Sequence, residues 1–233
     1  MAATAEAATM AGSNITKSSI PAHPIAVPTH GAGGSFTILA ATVVPGQDPL
    51  TVMNLVRDID GWSRWNSFCP HGTITSRKEK VKANPGEETW LKIGDKVKFD
   101  VYMSGDGLVP GKKRSREQEV EVTAMEEMVG GQGDGTAVGP KVWQSEYQKE
   151  DARKGRKGWR IAWKSVGWSH WQMHSERVME FYEDGKGGTE YLCWETFGGV
   201  LGPVVRRTVG GQLVDRFGDY ASDVRGFFES PSQ

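Results

Sequence analysis

Four side chains carry most of the acid–base chemistry open to this sequence: His71, His174, Glu195 and Tyr147. Histidine titrates near pH 6.5, so it can remove an acidic C–H proton or protonate an oxygen near neutrality. An aldol-type cyclisation or a dehydration needs those two steps. His71 follows Pro70 at a strand entrance, and His174 lies within a strand pattern. Glu195 belongs to an alternating stretch in which Tyr191, Cys193, Glu195 and Phe197 share one face and Glu190, Leu192, Trp194 and Thr196 the other. If the first face points inward, Glu195 is buried among apolar groups, its pKa rises and it needs a partner. His71, His174 and Glu195 are therefore the candidate catalytic residues, with Tyr147 as a pocket hydroxyl. A structural role competes for each: a satisfied surface histidine, a core tyrosine, or a carboxylate binding backbone N–H groups where strand gives way to helix.

Metal and nucleophile chemistry find less support. His170 and His174 are four apart, a spacing that would align them on a helix as in HExxH. Their surroundings read as strand, where four residues span about 13 Å, so a shared metal is not expected. Cys69 and Cys193 are far apart with no CxxC, which indicates neither a disulfide framework nor a cysteine zinc site. No GxSxG is present. Gly131-Gln132-Gly133-Asp134-Gly135 has the glycines of a phosphate loop, but no helical pattern follows, so it reads as a hairpin loop. No metal or redox cofactor is expected.

The elements that would position these residues follow from periodicity. Residues 1–34 are rich in Ala, Thr, Ser, Pro and Gly without period and read as a disordered leader, with the folded domain spanning 35–230. Phe36 to Val44 reads as a strand ended by Pro45-Gly46. Asp48-Pro49 caps a short helix whose apolar face is Leu50, Met53, Val56 and Ile59. Period-two stretches follow around Val97–Met103 and Val120–Ala124, then at Lys141–Gln148, Gly158–Ser165, Met173–Tyr182 and Thr189–Phe197. They read as half-buried antiparallel strands with their polar side outward, separated by Gly-rich turns. From Gly202-Pro203 onward, Val205, Val209, Leu213, Phe217, Tyr220, Val224 and Phe227 recur every three or four residues, the mark of a long amphipathic helix. Gly210, Gly211, Gly218 and Gly226 each weaken it, so something must favour small residues or bending there. A sheet with one apolar face must bury that face, and this helix is the only long element available.

Composition bounds the function classes. The 233 residues carry a formal charge of −1, too little to hold a phosphate backbone, so no nucleic-acid partner is expected. No apolar run is long enough for a transmembrane helix. The N-terminus lacks a signal-peptide pattern, and the first 50 residues contain no Arg, which points to a cytoplasmic setting. The basic loops Lys112–Arg116 and Arg153–Lys157 permit peripheral membrane contact, although both sit in Gly-rich stretches where solvated turns are the better explanation. Nine Trp, eight Phe and five Tyr supply many flat rings, suited to a core or to a cavity.

The ordered motifs resemble a known superfamily. Asp58-Ile59-Asp60-Gly61-Trp62-Ser63-Arg64-Trp65-Asn66-Ser67-Phe68 is similar to the helix-to-strand passage of the START-like, polyketide cyclase-dehydrase and coenzyme Q-binding proteins, where an acidic residue and an aromatic precede a Trp-Asn-Pro-Phe tetrad. Ser67 departs from that Pro. Leu91–Gly94, Trp159–Trp163 and Gly188–Leu201 resemble the later strands and the entry to the last helix. The resemblance implies an α+β helix-grip fold, a curved antiparallel sheet of about seven strands wrapped around the long C-terminal helix. It also implies a cavity for a hydrophobic or aromatic small molecule, walled here by Trp62, Trp65, Phe68, Phe99, Met103, Tyr147, Trp163, Leu213 and Phe217. Two occupations follow: a polyketide cyclase or dehydratase of natural-product metabolism using His/Glu acid–base groups, or a non-catalytic carrier of a lipid, sterol or isoprenoid quinone.

Overall fold

The computed structural model describes residues 16–78, 87–114, 116–129 and 155–230. Eight strands form one antiparallel sheet: β1 (Lys17–Ser19), β2 (Phe36–Val44), β3 (His71–Ser76), β4 (Lys96–Val101), β5 (Arg116–Val129), β6 (Lys157–Ser165), β7 (His174–Glu183) and β8 (Thr189–Gly198). Their order is β1-β2-β8-β7-β6-β5-β4-β3, so β3 to β8 run as a meander and β2 closes onto β8. Between β2 and β3 lie α1 (Pro49–Arg57) and a 3-10 turn (Ile59–Arg64), and α2 (Gly202–Glu229) follows β8. The helix-grip architecture is as expected, with eight strands among the described residues where about seven were anticipated. The strand anticipated at Lys141–Gln148 and the loop at Gly131–Gly135 lie outside the described residues.

Local chemistry accounts for these elements. Asp48 caps α1 by accepting from the Thr51 N–H at 3.1 Å, and Pro49 occupies the first turn, where its missing N–H costs nothing. The buried face of α1 is Val52, Met53 and Val56, whereas Leu50, anticipated on that face, is exposed. Strand alternation sends Phe36, Ile38 and Ala40 of β2, Met179 and Phe181 of β7, and Tyr191 and Cys193 of β8 toward the helix. There they meet Leu213, Phe217, Tyr220, Ala221 and Val224 of α2. At 28 residues α2 is about 42 Å long, enough to cross the whole sheet. No described helix is long and apolar enough to cross a membrane.

The opposite face of the sheet is not left to solvent, and here the expected leader is corrected from Thr16 onward. After the edge strand Lys17–Ser19, the segment around Ile25–Val27 packs across that face. Ile25 and Val27 cover Leu39, Ala41, Ala162, Val178, Leu192 and Trp194, forming a second apolar cluster. The backbone of this segment is satisfied by side chains of the sheet. Thr37 Oγ1 accepts from the Ile25 N–H at 2.8 Å, and Thr196 Oγ1 donates to the Ile25 carbonyl at 2.6 Å. Gly34 makes the approach possible, since a Cβ there would fall on the Thr196 methyl. One helix glycine finds its reason in the same segment: a Cβ on Gly218 would lie 2.9 Å from Ser18 Oγ of β1. Part of the glycine content of α2 thus admits the N-terminal strand. Replacing Ile25 by Ala should destabilise the protein by about 2–5 kcal/mol, against less than about 0.5 kcal/mol for a residue in an unpacked leader. Chemical denaturation followed by tryptophan fluorescence measures the difference, and an effect under 0.5 kcal/mol would contradict the packing described.

Candidate functional site

The register of β7 on β8 sets Arg177 directly across from Glu195. Both share the inward face with Met179, Phe181 and Cys193, so a cation and an anion are carried into the space between sheet and helix. They form one ion pair there: Arg177 donates from Nε at 3.0 Å and from Nη2 at 2.9 Å to Glu195 Oε2. Both side chains are more than nine-tenths buried. The guanidinium lies over aromatic faces, its Cζ 4.3 Å from the Phe217 ring centre and 5.3 Å from that of Phe68. Burial alone would lower the pKa of Arg177. The Glu195 carboxylate more than offsets this, so the guanidinium is held above its ordinary value and stays charged.

Around this pair lies a narrow pocket. Phe99 and Val101 of β4, Arg116, Gln118 and Val120 of β5, and Trp163 of β6 form one wall. Phe68 and Cys69 of the 65–70 turn, Phe197 of β8 and Leu213 of α2 complete it. The rings fill most of the interior: the cavity measures about 20 Å3, room for a water or two. A ring-sized molecule therefore enters only if the walls move. Buried polar atoms nearby await a partner. Tyr220 Oη, Trp65 Nε1 and Asn66 Nδ2 make no hydrogen bond among the described residues. Tyr220 stands 5.9 Å from the Arg177 guanidinium and packs edge-on against Trp65.

The turn that carries Phe68 and Cys69 is fixed by two side chains. Asn66 Oδ1 accepts from the Cys69 N–H at 2.8 Å and the Phe68 N–H at 3.2 Å. Ser67 donates its N–H at 2.9 Å and its hydroxyl at 2.6 Å to Asp223 Oδ2 of α2. A Pro at position 67 could do neither, so the Ser that departs from the Trp-Asn-Pro-Phe pattern ties the pocket turn to the helix. Burial raises the Asp223 pKa even though the Ser67 donors work in the other direction.

The anticipated site residues fall in different places. Glu195, Phe68, Phe99, Trp163 and Leu213 line the pocket. Trp62, Trp65 and Phe217 are core residues behind its wall, Trp62 donating to the Val56 carbonyl at 2.8 Å with its ring 5.0 Å from Phe99. Met103 follows the end of β4 and packs partly buried against the core. Neither histidine reaches the pocket. His71 is exposed at the start of the edge strand β3, and His174 occupies the opposite face of β7. Tyr147 lies outside the described residues. Arg177, Cys69, Arg116 and Gln118 were not anticipated. For Arg177 the signal was parity, since it sits two residues before Met179 on the same face.

The geometric reason given against a histidine pair is also corrected. His170 is not on a strand; the 166–173 turn folds it back so that its ring stacks on His174 with centres 3.9 Å apart. His30 lies 4.6 Å from His174 and 5.0 Å from His170, ring centre to ring centre.

No family model matches the chain. A curated relative, the oxopyrrolidines biosynthesis cluster protein O of Penicillium oxalicum, is 25% identical over 210 residues, covering 87% of this chain and 90% of that protein. A solved structure, the hypothetical protein jhp0584 of Helicobacter pylori, is 12% identical with a TM-score of 0.51, covering 92% of this chain and 88% of its own. The di-domain ARO/CYC BexL from the BE-7585A biosynthetic pathway is 9% identical with a TM-score of 0.47, covering 84% of this chain and 48% of its own. The likeness to the Helicobacter structure is one of fold.

Two measurements check the site. Glu195→Gln leaves Arg177 charged and uncompensated and should cost about 3–5 kcal/mol, whereas Arg177→Met combined with Glu195→Gln should cost clearly less than the sum of the two single changes. Additivity within about 0.5 kcal/mol in urea unfolding would mean that the pair does not couple. Burial pushes the Cys69 thiol up to about 12 and the Cys193 thiol to about 11. At pH 8 iodoacetamide should therefore label both at least roughly 100-fold more slowly in the folded protein than in urea, by mass spectrometry. Equal rates would refute the closed pocket.

Proposed function

We propose, from the START-like helix-grip fold of this chain and the charged pair in its apolar pocket, that the protein binds a hydrophobic, oxygen-bearing small molecule of natural-product metabolism. It acts on that molecule as a cyclase or dehydratase. The observation that carries this reading is the inward Arg177–Glu195 pair. A pocket built only to shelter an apolar molecule has no need of two buried charges, which are costly to desolvate. The curated Penicillium relative, named for a biosynthesis cluster, supports the metabolic setting.

The chemistry divides between the two residues. Glu195 accepts the proton from a carbon next to a carbonyl, and the electron pair left behind becomes an enolate whose oxygen faces Arg177. The guanidinium has five N–H donors, and those not engaged by Glu195 can stabilise that oxygen in a low-dielectric setting where such bonds are strong. Attack of the enolate carbon on a second carbonyl of the same chain closes a ring. The resulting alkoxide takes the proton back, and loss of that hydroxyl with a neighbouring proton releases water. Neither step changes the oxidation state of the substrate as a whole, so no redox partner is required. His71 and His174 have no part in it, because both lie outside the pocket. The pocket walls must part to admit the chain, and Arg116 and Gln118 mark the rim where β5 meets solvent.

A second reading, carriage of a lipid, sterol or isoprenoid quinone without turnover, is favoured by one observation: Arg177 and Glu195 already satisfy each other. Native mass spectrometry of protein purified from its own source separates the two. A co-purified cyclised or dehydrated polyketide-type product supports catalysis, and a stoichiometric lipid or quinone supports carriage. With the substrate class in hand, Glu195→Gln should slow product formation by roughly 100-fold or more, while His71→Ala should leave the rate within about twofold. Full activity of Glu195→Gln would remove the catalytic role.

A further inference from the structure

On the outer face of the sheet, away from the pocket, three histidines from separate segments meet. His30 comes from the N-terminal segment that crosses the sheet, His170 from the 166–173 turn, and His174 from the start of β7. Each offers one ring nitrogen, and the three nitrogens lie within 4.8 Å of one another. His174 Nδ1 lies 2.7 Å from the His170 carbonyl oxygen. A carbonyl only accepts, so Nδ1 carries the proton and donates. Nε2 keeps its lone pair, and a backbone partner of this kind is what fixes the tautomer of a metal-ligating histidine. His30 Nε2 is buried and has no hydrogen-bond partner among the described residues. Gly198, paired with His174 across the sheet, makes room for the His174 ring, since a Cβ there would fall 2.2 Å from Nε2.

We propose that His30, His170 and His174 form a binding site for a divalent first-row metal ion of the Zn2+ class. Three imidazole nitrogens with a fourth position left to water suit that ion, and at Zn–N bonds of about 2.0–2.1 Å the nitrogens would sit about 3.4 Å apart. Drawing them together requires movement of one ring, because the His170 and His174 rings are within 9° of parallel and no single ion lies in both planes. His170 is the free member, exposed on a turn, and rotation of its side chain supplies the change. Glu176 offers negative charge close by: it is fully buried beside His30 and accepts from the Thr29 N–H at 2.7 Å and the Thr29 hydroxyl at 2.8 Å. The ion would pin the N-terminal segment to β7 and its preceding turn. The site is independent of the catalytic reading, since the pocket lies on the other face of β7.

Isothermal titration of tag-free, full-length protein with Zn2+ alone tests this. One ion should bind per chain. His170→Ala and His30→Ala should each weaken binding by at least about 100-fold, and His23→Ala and His71→Ala should leave it unchanged. His170→Ala alters an exposed turn, so the fold is kept and loss of binding is read directly. Saturating Zn2+ should also raise the melting temperature by several degrees and slow trypsin cleavage at Lys17 in the wild type, but not in His170→Ala. Stoichiometry well below one, undiminished affinity of His170→Ala, or equal loss in the His71→Ala control overturns the proposal.

Discussion

The constraint on which the rest of the structure depends is the confinement of the Arg177–Glu195 pair between sheet and helix. Two charges cannot be taken from water at this depth unless they meet in good geometry and their surroundings tolerate them. The β7–β8 register supplies the geometry, because any slip by one residue would send one of the two to the other face. The faces of Phe217 and Phe68 supply the tolerance, since an aromatic surface favours a guanidinium without competing for its N–H groups. The same residues that make the pocket narrow therefore also make its charge possible. A wider cavity would admit water and weaken both the pair and any interaction that it makes with a bound oxygen.

A sheet loaded in this way on its inner face has to be held rigid from outside, and the N-terminal segment does so. Leu192 and Trp194 alternate with Tyr191, Cys193 and Glu195 on β8, so the strand is apolar on both faces and cannot have one side in water. Covering by Ile25 and Val27 solves that, and the hydroxyls of Thr37 and Thr196 satisfy the backbone of a segment that has no sheet partner of its own there. Glu176, facing outward one residue before Arg177, is occupied by Thr29 and by Thr123 at 2.7 Å. The two successive charged residues of β7 thus serve opposite faces, one anchoring the cover and the other furnishing the site.

Much of this was legible in the sequence wherever a period repeats over several residues. The alternation from Tyr191 to Phe197 put Glu195 on one face with Tyr191, Cys193 and Phe197, and the three-and-four spacing from Val205 to Phe227 gave the long helix. Failures came where periodicity is short or the information is long-range. The segment from Thr16 to Gly34 has too few apolar residues to show a period, and its burial depends on a sheet face that joins β2 to strands over 100 residues away. Arg177 was hidden by its neighbours, because Ser175-Glu176-Arg177 reads as a polar stretch until Met179 and Phe181 fix the parity. His170 was misplaced for a related reason: the strand pattern that begins at His174 was extended backward through a turn that only tertiary contacts define.

The polar residues share a direction. The structure places each according to a partner on another segment: Arg177 against Glu195 across 18 residues, Ser67 against Asp223 across 156, Glu176 against Thr29 across 147. Apolar residues follow local period because any apolar neighbour serves them equally, and their burial is non-directional. A buried polar group needs a specific complement in a specific orientation, so its position reflects a pairwise match that no single window contains. Where such matches cluster around one cavity, as they do between β7, β8, the Asn66–Cys69 turn and α2, they mark the part of the fold whose residues answer to chemistry in addition to packing.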